Sequence, residues 1–329
     1  MKRLLLRLAC VALPALLALG CGDRSTVRDG KQLLRIGHFP NVTHAHGLVA
    51  HALSRAGKGW FEERLGPDVK VEWYTYNAGP SAMEALLNGS LDATYVGPSP
   101  AINAHVRSKG AEVRVLAGAT RGGAALVVHG DGGIRTPADF KGRTVGTPQL
   151  GNTQDVACRA WLVAQGFRVT QTGGDVTVLD TDNPNQLPLF QKRELDAVWT
   201  VEPWVSRLEL DGGGKVFLEE KDTLTTVLAS SAALLRDRPA LARKLVDAHR
   251  ELTAWIVAHP DEARVLVAAE LLSETHREIS KALLDRAWPR LRFDDRVAGS
   301  DFEAFVQAAQ AVGYLKGGGD VSRLVASPP

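Results

Sequence analysis

The sequence predicts an α/β protein of two lobes joined by a hinge and followed by a run of helices. Three observations predict it. Short β-branched or apolar stretches alternate with helical ones through residues 33–119, stop at Thr120, Arg121, Gly122 and Gly123, and resume through residue 218. Alternation of this kind argues for sheets with helices on their faces. From Pro239 onward the pattern is helix alone, punctuated by Pro260 and Pro289. A length of 329 residues suits two domains of ordinary size.

The first twenty residues stand apart. Lys2, Arg3 and Arg7 precede or enter an apolar run over residues 8–19, which has signal-peptide length and is too short to span a bilayer. The run closes on Ala18, Leu19, Gly20 and Cys21, a small residue just before a cysteine, as in a bacterial lipobox whose cysteine is lipidated. Ordinary secretory cleavage nearby is the alternative. Residues 1–20 are therefore expected to be a signal peptide and residues 21–32 a polar tether. Cleavage removes three bases and no acids, which leaves a net charge of −1 from 39 bases and 37 acids. A near-neutral chain carries no general basic field for nucleic acid. Cys10 leaves with the signal and Cys21 takes lipid, so Cys158 remains alone and no intrachain disulfide is expected. It lies on an apolar helical stretch, where a buried thiol is inert.

In the first lobe, residues 33–39 form a strand that breaks at Pro40, Asn41, Val42 and Thr43, and a helix runs on to Arg55. Residues 60–65 make a short amphipathic turn. A strand over 71–76 breaks at Asn77, Ala78, Gly79, Pro80 and Ser81, and the helix after it stops at Asn88 and Gly89. The next strand, 91–96, ends in Gly97, Pro98, Ser99 and Pro100, where Ser99 can cap a helix and Pro100 take its first position. Residues 113–119 are a further strand, and the order to this point argues for a parallel sheet.

The second lobe repeats the pattern. Strands are expected over 124–129, 143–147, 176–179, 195–200 and 216–218, with a short helix over 137–140. Gly151, Asn152 and Thr153 open one helix, Asp182, Asn183 and Pro184 a second, and Glu202, Pro203 and Trp204 a third. Residues 225–234 read as a strand returning to the first lobe, and helices follow over 241–258, 261–272, 276–287 and 301–312. The expected lobes are residues 33–121 with 226–329, and residues 122–225.

Ligands of open α/β sheets sit beyond the carboxyl ends of strands, where helix N-termini offer unpaired N–H groups to oxyanions. Five corners have that form: residues 40–43, 77–81, 97–100, 151–153 and 183–185. Any one of them also reads as plain connection. Together they suggest a cleft closed from both sides on a small anion. The candidate lining is Asn41, Thr43, His44, Asn77, Gly79, Pro80, Ser81, Gly97, Pro98, Ser99, Gly151, Asn152, Thr153 and Asn183, with Arg121 read either as a pairing cation or as an exposed surface residue. Glu202 reads equally as a first-turn acid favouring the helix dipole or as a cleft residue facing a ligand cation, proton or metal. Trp204 and Tyr95 are candidates to flank an organic tail. His38, His44, His46 and His51 crowd the first corner, but no cysteine or carboxylate stands nearby at ligand spacing. No metal and no cofactor is expected, and His38 or His44 is read as a hydrogen-bonding pocket residue. The sequence contains no G-x-S-x-G, H-E-x-x-H or Walker loop.

The string NAGPSAMEALLNGSLDATYVGPSPAI, with TPADFKGRTVGTPQLGNTQDVACRAWL, LPLFQKRELDAVW and the VEPW that follows, resembles substrate-binding proteins of ABC transporters in the nitrate/sulfonate/taurine/bicarbonate group. The likeness covers residues 33–257. It implies a type II periplasmic-binding fold, a pocket between lobes at positions 77–81, 97–99, 151–153 and around Glu202, and delivery of a solute to a membrane permease and its ATPase. It further implies a monomeric, non-enzymatic receptor in the periplasm or cell envelope. The ligand expected is a small oxyanion, most favourably an aliphatic sulfonate, with nitrate, bicarbonate, taurine or a pyrimidine precursor as alternatives. A pyrimidine-synthesising enzyme shares the superfamily, but its Cys-rich motif has no counterpart here.

Overall fold

A computed structural model describes residues 26–171, 173–315 and 319–326. The expected signal peptide and Cys21 lie outside the described residues.

The chain enters through a hairpin of β1 (Val27–Arg28) and β2 (Lys31–His38), so residues 27–32 belong to the first sheet rather than to a tether. Then follow α1 (Ala45–Arg55), α2 (Trp60–Leu65), β3 (Val69–Thr75), α3 (Gly79–Leu87), β4 (Ala93–Val96), α4 (Pro98–Arg107) and β5 (Val113–Gly122). The second lobe holds β6 (Ala124–His129), β7 (Thr144–Thr147), α5 (Thr153–Ala164), a small hairpin of β8 (Val169–Thr170) and β9 (Gly173–Gly174), β10 (Thr177–Asp180) and α6 (Asn183–Gln191). It closes with β11 (Ala197–Val201), α7 (Trp204–Gly212) and β12 (Gly214–Glu220). The chain returns in β13 (Leu224–Ser231). It ends with α8 (Ala232–Asp237), α9 (Pro239–Ala258), α10 (Pro260–Thr275), α11 (Lys281–Ala287), β14 (Leu291–Phe293) and α12 (Glu303–Ala311).

The first sheet runs β1-β2-β4-β13-β5-β14, with β3 on the other side of β2, and the second runs β10-β7-β11-β6-β12. Both are mixed, where the alternation alone argued for parallel pairing. The strand β13 lies between β4 and β5 and is antiparallel to both. The reason is topological: β5 carries the chain out of the first sheet and β13 brings it back, and the two run side by side as the hinge. Thr225 Oγ1 donates to the Gly122 carbonyl and Gly122 N–H to the Thr223 carbonyl at 2.9 Å, which ties the two crossings together.

Each sheet is covered on both faces. One face of the first packs Leu34, Ile36 and Tyr95 against α1, α2, α9 and α10, and the other packs Val96, Val113 and Val227 against α3, α4 and α12. The second sheet has the same sandwich, with Phe140, Cys158 and Leu162 on one side and Phe190, Val205 and Leu208 on the other. The longest helix shows why the tail folds onto the first lobe. In α9, Leu241, Leu245, Ala248, Leu252 and Ile256 recur at helical spacing and are all buried. Burying each Leu or Ile side chain stabilises by about 1.5–3 kcal/mol. His276, in the left-handed conformation, ends α10, so residues 276–280 are a break rather than the start of the next helix.

Candidate functional site

The carboxyl ends of both sheets face each other, and the helix N-termini at α1, α3, α4, α5 and α6 converge on the seam. A polar cavity of about 30 Å³ lies there, lined by Asn41, Thr43, His44, Asn77, Gly79, Gly97, Asn152, Thr153 and Asn183 among others. That is room for one or two waters. All nine come from the sequence-predicted set, and they come from both lobes. A second cavity of about 330 Å³ opens beside it and shares Asn41, Asn77 and Asn183. Its walls add Trp204, Pro184, Pro203, Leu271 and Ile279, with Arg207 and Arg277 at the polar side.

Side chains close the seam. Trp204 Nε1 donates to Asn41 Oδ1 at 2.8 Å, and Asn183 Nδ2 reaches the same oxygen at 3.3 Å. Ser99 N–H meets Thr153 Oγ1 at 3.3 Å. This last contact needs glycine at 97, because a Cβ there would stand 2.3 Å from Thr153 Oγ1. Gly79 is needed for packing within the first lobe, since a Cβ would lie 2.3 Å from Pro100 Cγ. Gly97→Val is therefore expected to wedge the seam. Overpacking of this kind costs about 1–3 kcal/mol, here charged to the closed form, so solute affinity falls about tenfold or more. Small-angle scattering would show the variant more open, and calorimetry would read the affinity.

The helix N-termini are less vacant than the sequence suggested. The first turn of α4 carries proline at 98 and 100, which have no N–H, and the Ser99 N–H is taken by Thr153. Gly97 rather than Ser99 is the N-cap, and Pro98 rather than Pro100 holds the first position. At α5, Asn152 caps by accepting from Asp155 N–H at 2.8 Å, while the Asp155 carboxylate takes Gly151 N–H, Thr147 Oγ1, Tyr314 Oη and Arg159 Nε. A resident carboxylate already sits on that dipole. The donors left for a ligand are mainly side-chain amides and His44. Burial holds His44 well below the ordinary imidazole range, with the charge of His38 adding to the effect, and its Nδ1 has no hydrogen-bond partner.

Several predicted residues do not line the seam. Arg121 is turned to Asp301, 2.8 Å away, and to Asp294. Glu202 is fully buried, caps the first turn of α7 through Ser206 N–H at 3.1 Å, and pairs with Arg290 at 2.9 Å. Its carboxylate thus meets the start of α7 and Arg290, and the residue is not among those lining the seam cavity. Burial pushes its carboxyl up, against the pull of Arg290 and Ser206. Pro80 and Gly151 face a separate cavity of about 260 Å³ with Tyr314. Ser81 bonds the Ala78 carbonyl, and Pro98 and Ser99 are packed at the helix start. Tyr95 is core, its hydroxyl on His249.

Sequence reasoning missed Thr225, Gln154, Arg207 and Arg277. Arg207 had a signal: it stands three residues after Trp204 on α7, and its guanidinium lies 5.0 Å over the Trp204 ring. The histidines part company. His44 opens on the cavity, His46 bonds Thr253, and His38 meets His51.

Two α/β lobes crossed twice by the chain, with a cavity in the seam, have the fold of periplasmic binding proteins. The chain belongs to the NMT1-like family, whose model matches residues 28–273. It is 26% identical over 264 residues to a Bacillus subtilis (strain 168) protein named for binding aliphatic sulfonates, covering 77% of this chain and 74% of that one. It is 27% identical over 173 residues to the taurine-binding periplasmic protein of Escherichia coli K12, covering 52% and 51%. Among solved structures it is similar to the alkanesulfonate-binding protein SsuA of Xanthomonas axonopodis pv. citri bound to MOPS, with 20% identity, a TM-score of 0.71 and coverage of 90% and 98%.

Proposed function

We propose that this protein is the solute-binding component of an ABC importer, non-enzymatic, and that it captures an aliphatic sulfonate between its lobes. The observation that carries the reading is the paired cavity. A hole lined by Asn41, Asn77, Asn152, Asn183, Gln154 and His44 adjoins a larger space walled by Trp204, prolines, Leu271 and Ile279, with Arg207, Arg277, Asp182 and Glu274 also in its lining. An anionic head on the amides with a short organic tail against Trp204 and the apolar side chains fits that lining. The hole holds one or two waters in this closed form, so entry of a sulfonate head requires the lobes to part and re-form around it. Names of the relatives point the same way. The expected leader over residues 1–20 and the cysteine after it support a receptor of the periplasm or cell envelope, tethered through a lipid on Cys21.

A thermal-shift and calorimetric panel of alkanesulfonates, taurine, nitrate, bicarbonate and pyrimidines tests this. Alkanesulfonates are expected to raise the melting temperature most, by an amount that grows with ligand over Kd. A response confined to nitrate or bicarbonate would replace the ligand, and turnover of a pyrimidine precursor would replace the class.

A further inference from the structure

A second cluster of chemistry-bearing side chains lies outside the seam, in the first lobe, on the far side of the larger cavity's wall. His38 ends β2, His51 lies on α1, and Glu270 and Glu274 are one turn apart on α10. His38 Nε2, His51 Nδ1 and Glu274 Oε1 form a near-equilateral triangle with edges of 3.1, 3.0 and 3.2 Å. Glu270 Oε1 stands 2.8 Å from His51 Nδ1. All four residues are buried or nearly so: His38 and Glu270 are 0% and 1% exposed, the Glu274 side chain 3% and the His51 side chain 11%.

Hydrogen bonding alone does not satisfy this triangle. An ionised carboxylate only accepts, so His38 Nε2 must donate to Glu274 and His51 Nδ1 to Glu270 or Glu274. The two nitrogens then face each other, donor against donor, at 3.1 Å. If one nitrogen is left bare, its lone pair confronts a carboxylate oxygen instead. A cation above the three atoms satisfies every edge at once. The triangle's edges give a circumradius of about 1.8 Å, so an ion at the usual zinc–nitrogen distance of about 2.0–2.1 Å rests about 1 Å off its plane. Tetrahedral ligands stand slightly farther apart, by a few tenths of an ångström, which side-chain rotation supplies.

The surroundings hold the ligands in place. Arg55 Nε donates to both Glu270 oxygens at 2.9 and 3.1 Å, and Thr75 Oγ1 donates to Glu274 Oε1 at 2.8 Å. His51 stacks on Trp73 with ring centroids 5.4 Å apart. Outer contacts of this kind orient metal ligands. The remaining oxygen of Glu274 has no partner, while His38 Nδ1 is unpartnered whichever tautomer is present and so decides nothing.

We infer that His38, His51 and Glu274 bind a divalent first-row transition ion of the zinc class, with Glu270 the carboxylate at hand for a fourth position. Two imidazoles select this class over calcium or magnesium, which take oxygen ligands. The ion ties α10 to β2 and α1 beside the larger cavity, whose wall includes Glu274 and Thr75. The inference stands independently of the solute.

The test uses the full chain, stripped with chelator and titrated with ZnCl2 or CoCl2 by calorimetry and visible absorption. One equivalent is expected to bind and to raise the melting temperature. His51→Gln and Glu274→Gln are each expected to bind about a hundredfold more weakly while circular dichroism shows them folded. X-ray absorption on zinc-loaded wild type needs no variant and is expected to count two imidazoles. Failure of wild type to take up either metal overturns the inference, as does unchanged affinity in folded His51→Gln or a zinc spectrum without imidazole.

Discussion

Replacing Arg290 by methionine is expected to destabilise the protein by about 3–5 kcal/mol, the usual cost of removing one partner of a buried ion pair. The partner left behind is Glu202, whose carboxylate is completely buried and accepts from Arg290 Nη1 at 2.9 Å. Ser206 N–H and Oγ remain, at 3.1 and 2.8 Å, but neither carries charge. Arg290 also contacts Glu209 at 2.8 Å and Glu219 at 3.5 Å, yet Glu209 keeps Arg286 when Arg290 is gone and Glu219 is partly open to solvent. The loss therefore concentrates on Glu202.

Its pH dependence separates this mechanism from simple loss of packing. Burial raises the Glu202 pKa in the folded state above its ordinary value, and Arg290 opposes the rise. A carboxyl with a raised folded pKa contributes no penalty while protonated, below its unfolded pKa. Stability is lost as pH climbs through the folded pKa, because the unfolded state releases the proton more readily. Methionine removes the opposing charge, so the folded pKa climbs further and the variant's deficit grows as pH rises towards that higher value. The difference in melting temperature between wild type and Arg290→Met is expected to shrink from pH 7 to pH 4.5. A pH-independent difference would mean that packing, not the stranded carboxylate, carries the cost.

Much of this molecule was legible from local signals. Corners where proline, glycine or asparagine interrupts an apolar run marked strand ends, and nine of the marked residues do meet in one cavity. Their convergence follows because parallel strands present all their carboxyl ends on one side of the sheet. What local reading lacks is partner identity across the chain. Arg121 was a plausible anion ligand until Asp301, 180 residues later, claimed it. Glu202 was balanced between two roles until Arg290 arrived on the segment beside β14. The four histidines lacked a carboxylate nearby in sequence, and Glu270 and Glu274 reach two of them, His38 and His51, from more than 200 residues away. The antiparallel run of β13 between β4 and β5 is equally non-local. Helix-dipole reasoning overcounted donors at 97–100 because proline at two of the first three positions has no N–H to give.

Asn41→Leu is expected to weaken solute binding by about 30- to 150-fold while leaving the lobes folded. Asn41 Oδ1 accepts from Trp204 Nε1 and from Asn183 Nδ2, both on the other lobe. Leucine keeps the bulk and removes the acceptor. In the open form water satisfies the two stranded donors, so the penalty falls only on the closed form. An unmet buried donor costs about 1–3 kcal/mol, and about 2–3 kcal/mol for the pair converts to the stated loss of affinity. Within its own lobe the Asn41 side chain makes no helix cap, so thermal stability without solute should barely move. Calorimetry with the alkanesulfonate that shifts wild type most reads the affinity, and small-angle scattering reads the open fraction. Unchanged affinity would show that closure does not depend on Asn41. Lost affinity with an unchanged open fraction would place Asn41 on the solute itself, at the junction where the polar hole meets the larger cavity.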